Sequence, residues 1–176
     1  MLDTERRERF EQTVLPHLDA AHNLARWLTR NDHDAQDVTQ EACLRAFRFF
    51  DGYQGGNMRA WLLTIVRNTC YSWLQQNRRH DSAEVFDEEI HGSEKSGLLD
   101  PEIQVLAGAD QETVHRALDE LPGIFREVLV LREIEGMSYR EIADVTSASL
   151  GTVMSRLSRG RARLRQSLVT LMTKES

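Results

Sequence analysis

The chain has 176 residues and a formal net charge of −6, a length that fits one domain or two small ones. Three prolines and few aromatics among long runs of Ala, Leu, Arg and Glu favour an all-α protein over a sheet-bearing one. No apolar run approaches the length of a membrane span, and the start MLDTERRERF lacks the features of a signal peptide, so a soluble, cytoplasmic chain is expected.

Residues 4–15 read as a first helix. Pro16 marks a kink or a new start, and the next helix runs to Thr29. The segment NDH is a turn, and Asp34 is the expected N-cap of a helix over 35–50. The apolar face of that helix is Val38, Ala42, Leu44 or Ala46, and Phe49. Its polar face carries Asp37, Gln40, Glu41 and Arg45. DGYQGGN is a glycine-rich loop, after which Asn57 caps a long helix to about Arg79. Trp61, Leu62, Ile65, Val66, Thr69 and Trp73 recur on it at helical spacing. Cys43 and Cys70 belong to no CxxC pair and no histidine stands at ligand spacing from them. Both are expected as buried free thiols.

The acidity is concentrated in the middle of the chain. Residues 81–112 carry a net charge of −9, against +1 before them and +2 after. With the weakly periodic HGSEKSGLLDP, residues 81–111 read as an acidic, flexible linker between two small helical domains, 1–80 and 112–176. A short helix is expected after Asp100-Pro101, with the aspartate capping and the proline in the first turn.

Residues 112–120 form the next expected helix, which LPG breaks. Another follows over 124–135, with Val128, Leu131 and Ile134 inward and Gly136 ending it. Then comes SYREIADVTSASLGTVMSRLSRGRARLR, residues 138–165, a short helix, a tight turn and a longer helix. Tyr139, Ile142 and Ala143 make the apolar face of the short one, and Ala143 is small enough for a close crossing. Ser149 stands where an N-cap belongs. Val153, Leu157 and Leu164 face inward, and Thr152, Ser155, Arg156 and Arg159 face out. This is the pattern of a helix-turn-helix, whose second helix presents its first side chains to base edges in a major groove. Arg156, Arg159, Arg161, Arg163 and Arg165 form a basic run with no acid between Thr152 and Met172. Phosphates are their expected targets, which gives affinity and register rather than sequence reading. Four residues after Ala143, where glycine commonly supplies a positive φ, the chain has Ser147, which can hold that conformation at modest cost.

A second constellation lies behind the glycine loop, where one helix carries Trp61, Arg67, Asn68, Tyr71, Arg78 and Arg79. Such a set suits single-stranded nucleic acid, with bases stacked on rings and arginines along the backbone. Trp61 also lies on the apolar stripe, so core packing and base stacking both stay open for it. Arg59, Arg67 and Asn68 read as contacts. The face of Asp37, Gln40 and Glu41 fits either an ordinary solvated helix start or an interface. No phosphate loop, catalytic-triad spacing or metal cluster is visible, so no enzyme activity, metal, cofactor or small-molecule substrate is expected.

The order of these parts is itself informative: DAQDVTQEACLRAFRFF, a glycine loop, MRAWLLTIVRNTCYSWLQQNRR, a linker, and ELPGIFREVLVLREIEGMSYREIADVTSASLGTVMSRLSRGRARLR. Nearly the whole chain outside residues 81–110 resembles the extracytoplasmic-function sigma factors of bacterial RNA polymerase. The resemblance implies a non-enzymatic specificity subunit. Its partners would be core RNA polymerase (β′ clamp and β subunits), promoter DNA, and a cognate anti-sigma factor, often membrane-anchored. It implies core binding through Asp34, Asp37, Gln40 and Glu41. It implies recognition and opening of the minus-ten element through Tyr53, Asn57, Met58, Arg59, Trp61, Arg67, Asn68 and Tyr71. It implies reading of the minus-thirty-five element through Ser149, Thr152, Ser155, Arg156, Arg159, Arg161, Arg163 and Arg165. Loops of the family often read FRGDSxFxTWL, whereas this one is YQGGNMRAWL, so the minus-ten base preference does not carry over. The alternative is a stand-alone helix-turn-helix repressor or activator, which has no need of the constellation behind the glycine loop.

Overall fold

Proline 16 sets the first bend of the chain. In the computed structural model, which describes residues 1–77 and 109–174, helix α1 (Leu2–Val14) passes into a 3-10 turn, Leu15–His17, before α2 (Leu18–Thr29). The kink expected at this proline is that turn. Helix α3 (Asp32–Phe49) begins earlier than the sequence suggested. Its N-cap is Asn31, whose side chain accepts a hydrogen bond from the Asp34 N–H at 3.0 Å. Asparagine and aspartate cap about equally well, and the extended backbone of Asn31 decides between them. Asp34 therefore sits inside the first turn as the donor.

A 3-10 turn, Phe50–Gly52, and the glycine loop lead to α4 (Met58–Asn77). Asn57 caps α4 as expected, its Oδ1 accepting from the Ala60 N–H at 3.1 Å. Gly55 and Gly56 hold φ of 91° and 93°, a region costly for any residue with a Cβ. Helices α2, α3 and α4 pack on one another, and their contacts are lined by fully buried alanines, among them Ala21, Ala25, Ala42 and Ala46. On the inward face of α3, the choice left open between Leu44 and Ala46 falls to Ala46, which is buried, and one expectation is corrected: Phe49 is exposed while Phe50 faces the core. On α4, Leu62, Val66 and Thr69 are buried as expected, joined by Leu63 and Cys70, whereas Trp61, Ile65 and Trp73 are half-buried. Cys43 is half-buried, not buried, and partial burial pushes its thiol pKa up.

Helix α5 (Gln111–Glu120) is capped by Asp110, which accepts from the Thr113 N–H at 2.7 Å. Helix α6 (Gly123–Leu129) runs into a single π turn, Val130–Ile134. The bond from the Glu135 N–H to the Val130 carbonyl, 3.0 Å, has the wider spacing of that turn. The one continuous helix expected over 124–135 is thus interrupted. The shift in register leaves Val128 and Leu131 buried but turns Ile134 outward, 48% exposed. Gly136, φ 66°, ends the segment.

Helix α7 (Tyr139–Thr146), a tight turn and α8 (Leu150–Lys174) follow. On α7 the buried residues are Ile142, Val145 and Thr146, while Tyr139 and Ala143, expected inward, are half-buried. On α8 the expected Val153, Leu157 and Leu164 are buried, together with Gly160, Leu168 and Leu171. A Cβ on Gly160 would lie 3.3 Å from Leu129 Cδ1 and from Phe125 Cβ, so α6 packs tightly on α8 at a residue without a side chain. The described residues form two compact units, one of residues 1–77 with 140–148, the other of 109–139 with 149–174. No strand occurs among them. Residues 78–108 lie outside the described residues, and with them the expected linker up to that point, the helix after Asp100-Pro101, Arg78 and Arg79.

Candidate nucleic-acid interface

The first turn of α3 carries Asp32 and Asp34, carboxylates that favour the positive end of the helix dipole. Further along, Asp37, Gln40 and Glu41 are all exposed and fall at i, i+3 and i+4, which puts them on one face; Asp34 is half-buried at its edge. The face is not a bare row of charge. His33 Nε2 stands 3.8 Å from Asp37, and Arg45 Nε donates to Glu41 Oε1 at 3.2 Å. Arg45 also reaches Thr69 Oγ1 on α4 at 3.4 Å, which ties the face to the helix behind it. Leu44 extends the same face and is 59% exposed. The sequence left Leu44 as a candidate core residue; its spacing from Asp37 and Glu41 was the signal that it belongs with them.

The glycine loop is braced by aromatic rings. Tyr53 donates its hydroxyl to the Gly56 carbonyl at 2.6 Å. Its ring stacks on Phe50, centroids 6.3 Å apart, and tilts against Trp61 at 5.4 Å. Trp61 is therefore neither fully packed away nor free of the core. Trp61, Thr64, Asn68 and Tyr71 follow the i, i+3, i+7, i+10 spacing of one helix stripe. Arg67 flanks it with its guanidinium 4.6 Å from the centre of the Tyr71 ring, a cation–π contact. Of the eight residues assigned to this site by resemblance, Trp61, Asn68 and Tyr71 lie on the stripe, Arg67 beside it, and Tyr53 and Asn57 on the loop before the helix; the other two, Met58 and Arg59, lie apart. Met58 is only 6% exposed and packs into the core. Arg59 precedes Trp61 by two residues, which places it roughly 160° around the helix from it.

In the helix-turn-helix, Ser147 adopts φ 56°, the left-handed conformation the turn was expected to need. The Ala148 N–H bonds the Ala143 carbonyl at 3.1 Å and closes α7. Ser149 Oγ then accepts from the Thr152 N–H at 3.1 Å and donates to Thr152 Oγ1 at 2.8 Å, fixing the start of α8. The arginines do not form one ladder. At about 100° per residue, Arg156, Arg159 and Arg163 share a flank with Thr152, while Arg161 and Arg165 lie on the opposite side of the buried stripe. Arg161 pairs with Glu133 of the π turn at 3.0 Å. Arg163 lies 5.0 Å from the centre of the Phe125 ring. The π turn, which sequence periodicity did not reveal, thus supplies the acid that restrains one of the five.

Residues 13–80 match the family model for Sigma-70 region 2, and residues 111–164 match that for Sigma-70, region 4. This chain belongs to the sigma-70 family. Over 164 residues this sigma factor is 37% identical to the ECF RNA polymerase sigma factor SigE of Mycolicibacterium smegmatis, a match covering 90% of this chain and 61% of that one. It is also 37% identical over 134 residues to the ECF RNA polymerase sigma-E factor of Escherichia coli, covering 73% and 70% respectively. Both relatives carry the extracytoplasmic-function designation, and this chain is a member of that class. Among solved structures it is similar to the sigma factor RpoE in complex with the anti-sigma factor NepR from Bartonella quintana. That match has a TM-score of 0.70 and 32% identity, and covers 92% of this chain and 97% of that one. It is also similar to CnrH in complex with the cytosolic domain of CnrY, with a TM-score of 0.65, 27% identity and coverage of 97% and 91%.

Proposed function

We propose that this chain is an alternative sigma factor that binds core RNA polymerase and directs transcription from a restricted set of promoters. The observation that carries the reading is the presence of both regions in one chain, region 2 over 13–80 and region 4 over 111–164, each bearing a surface suited to its task. We assign residues 1–80 to core binding and minus-ten opening, 81–111 to a linker, and 112–176 to the minus-thirty-five element. On α3, the exposed Asp37, Gln40 and Glu41 around Leu44 supply a polar rim with an apolar centre, the composition of a protein interface. Asp34 contributes at its edge. On the loop and α4, Tyr53, Asn57, Trp61, Arg67, Asn68 and Tyr71 receive extruded bases, with rings for stacking and amides for base edges. Arg59 contributes charge at the helix start. Met58 holds the helix in the core behind them.

On α8, Ser149, Thr152, Ser155 and Arg156 lie in the first two turns, where a recognition helix meets base edges. Arg159, Arg163 and Arg165 serve phosphates. A cognate anti-sigma factor is the remaining partner, supported by the complexes in which two structural relatives were solved. The protein works in the cytoplasm, where its polymerase is. No described helix is long and apolar enough to cross a membrane.

In vitro transcription with purified core polymerase and a promoter library tests the reading. Wild-type protein is expected to yield specific transcripts, and Asp37→Lys with Glu41→Lys is expected to weaken core affinity while the helical content stays unchanged. Full affinity in the folded double variant would remove α3 as the interface. A chain that adds no promoter specificity to core polymerase would refute the assignment as a sigma factor.

A further inference from the structure

All but the last two residues of helix α1 precede the region 2 match, which begins at residue 13, yet three of its side chains converge on the segment that leads into the glycine loop. Arg6 Nε donates to both carboxylate oxygens of Asp51, at 3.0 and 3.2 Å. Its NH2 group donates to the Phe47 carbonyl at 2.5 Å, and its guanidinium lies 4.4 Å from the centre of the Phe47 ring. The same Phe47 carbonyl accepts from the Phe50 N–H at the C-cap of α3, so Arg6 joins the bond that closes the helix. Phe10 stands edge-on to Phe47 at 5.1 Å and to Phe50 at 5.4 Å. Arg9 covers Phe50 with its guanidinium 5.5 Å from the ring centre. From Phe50 the contacts continue through Tyr53 to Trp61.

We propose that α1 is a positioning element for the minus-ten site, with Arg6 holding the Phe47–Asp51 corner so that Tyr53 and Trp61 present a fixed surface to unpaired bases. The inference rests on the assignment of that site under Proposed function. The physical reason is the composition of the loop. Gly55 and Gly56 give it backbone freedom, and among the described residues nothing packs on them within the reach of a Cβ. A loop that must be ordered by its ligand loses affinity to the entropy of ordering, and a loop ordered beforehand does not. Arg6 anchors one end through three hydrogen bonds and a ring contact, and Tyr53 pins the middle through Gly56. A lysine at position 6 carries the same charge but cannot fork between Asp51 and the Phe47 carbonyl.

Hydrogen exchange on the full chain and promoter opening on one library promoter, measured on the same variants, test this. In Arg6→Ala the amides of residues 51–57 should exchange about tenfold faster, with those of α2 and α4 unchanged. Open-complex yield should fall severalfold, while core affinity and binding to duplex minus-thirty-five DNA hold. Arg6→Lys should recover less than half of the loss. Asp51→Ala should behave as Arg6→Ala does, and the double variant should be no worse than either, as expected for two groups in one contact. Unchanged exchange in Arg6→Ala, or faster exchange with full promoter opening, would overturn the inference while leaving the sigma reading intact. A wild-type protein that opens no promoter would overturn the sigma reading and the role assigned to α1 with it; the exchange data would then report only on how α1 holds the loop.

Discussion

Ser147 shows how one residue can carry a cost the fold tolerates. Its φ of 56° is accessible to serine but unfavourable, because the Cβ crowds the following carbonyl. Ser147→Gly should therefore raise stability by about 0.5–1 kcal/mol, since the strain relieved exceeds the extra freedom gained by the unfolded chain. Ser147→Val should lower it, and thermal denaturation of both variants checks the pair. Arg126 is the converse case, a buried cation kept by hydrogen bonds. It donates to the Leu121 carbonyl at 2.8 Å and to the Asp119 carbonyl at 3.3 Å, closing the C-terminus of α5. Arg126→Ala strips these buried carbonyls of their donor and should cost about 2–3 kcal/mol in urea unfolding. Asp110 adds a pH dependence. Hydrogen bonds from the Thr113 hydroxyl and N–H hold its carboxyl below the usual carboxylate range. A depressed carboxylate contributes stability that is present above its unfolded pKa and lost as pH falls through the folded one. The cap on α5 should thus persist at neutral pH and fail only once the pH falls below the ordinary carboxylate range, and Asp110→Asn should flatten that part of the acid titration.

At the scale of the helix, position on the circumference matters more than position in the string. The five arginines of α8 look like one ladder in sequence, but their spacing divides them between two flanks, and Glu133 holds Arg161. Arg161→Ala should therefore change duplex affinity less than Arg163→Ala, which should reduce the salt slope by about one unit with little change in base preference. Arg156→Ala, within two turns of the helix start, should instead weaken recognition at particular base pairs. Binding titrations at several salt concentrations, on matched and mutated minus-thirty-five duplexes, separate the three. Equal salt slopes for Arg161→Ala and Arg163→Ala would show that the Glu133 pair does not restrain its arginine in solution. The same geometry governs α3, where Leu44 reads as core from hydropathy and lies on the exposed face with Asp37 and Glu41.

For the whole molecule, the proposed function divides the work of the two regions between duplex and single-stranded DNA. Asn57→Ala, Asn68→Ala and Tyr71→Ala should leave minus-thirty-five duplex binding intact and reduce permanganate-reactive thymines around the minus-ten element. Each lost stacking or pocket contact should cost on the order of 1–3 kcal/mol. Variants that open promoters like wild type would place the single-strand site elsewhere. For Asn57 the stability of α4 must be measured alongside, because the same side chain caps that helix.

The sequence by itself determined most of the described helices, the caps at Asn57 and Ser149, the left-handed turn at position 147 and the order of the family's two regions. These follow from local chemistry: a capping side chain reaches only a few residues, and hydrophobic periodicity reports which side of a helix turns inward. Tertiary structure alone decided the rest. Which of Leu44 and Ala46 is buried depends on how closely α2 and α4 approach α3, and that approach favours the smaller side chain. The π turn at 130–134 offsets the register and exposes Ile134, a change that hydropathy cannot register because the residues are the same either way. The grip of Arg6 on Asp51 joins residues 45 positions apart, and no local pattern pairs them. Long-range contacts of this kind exist only once the helices have packed, which is why the loop they hold could be located from the sequence but its support could not.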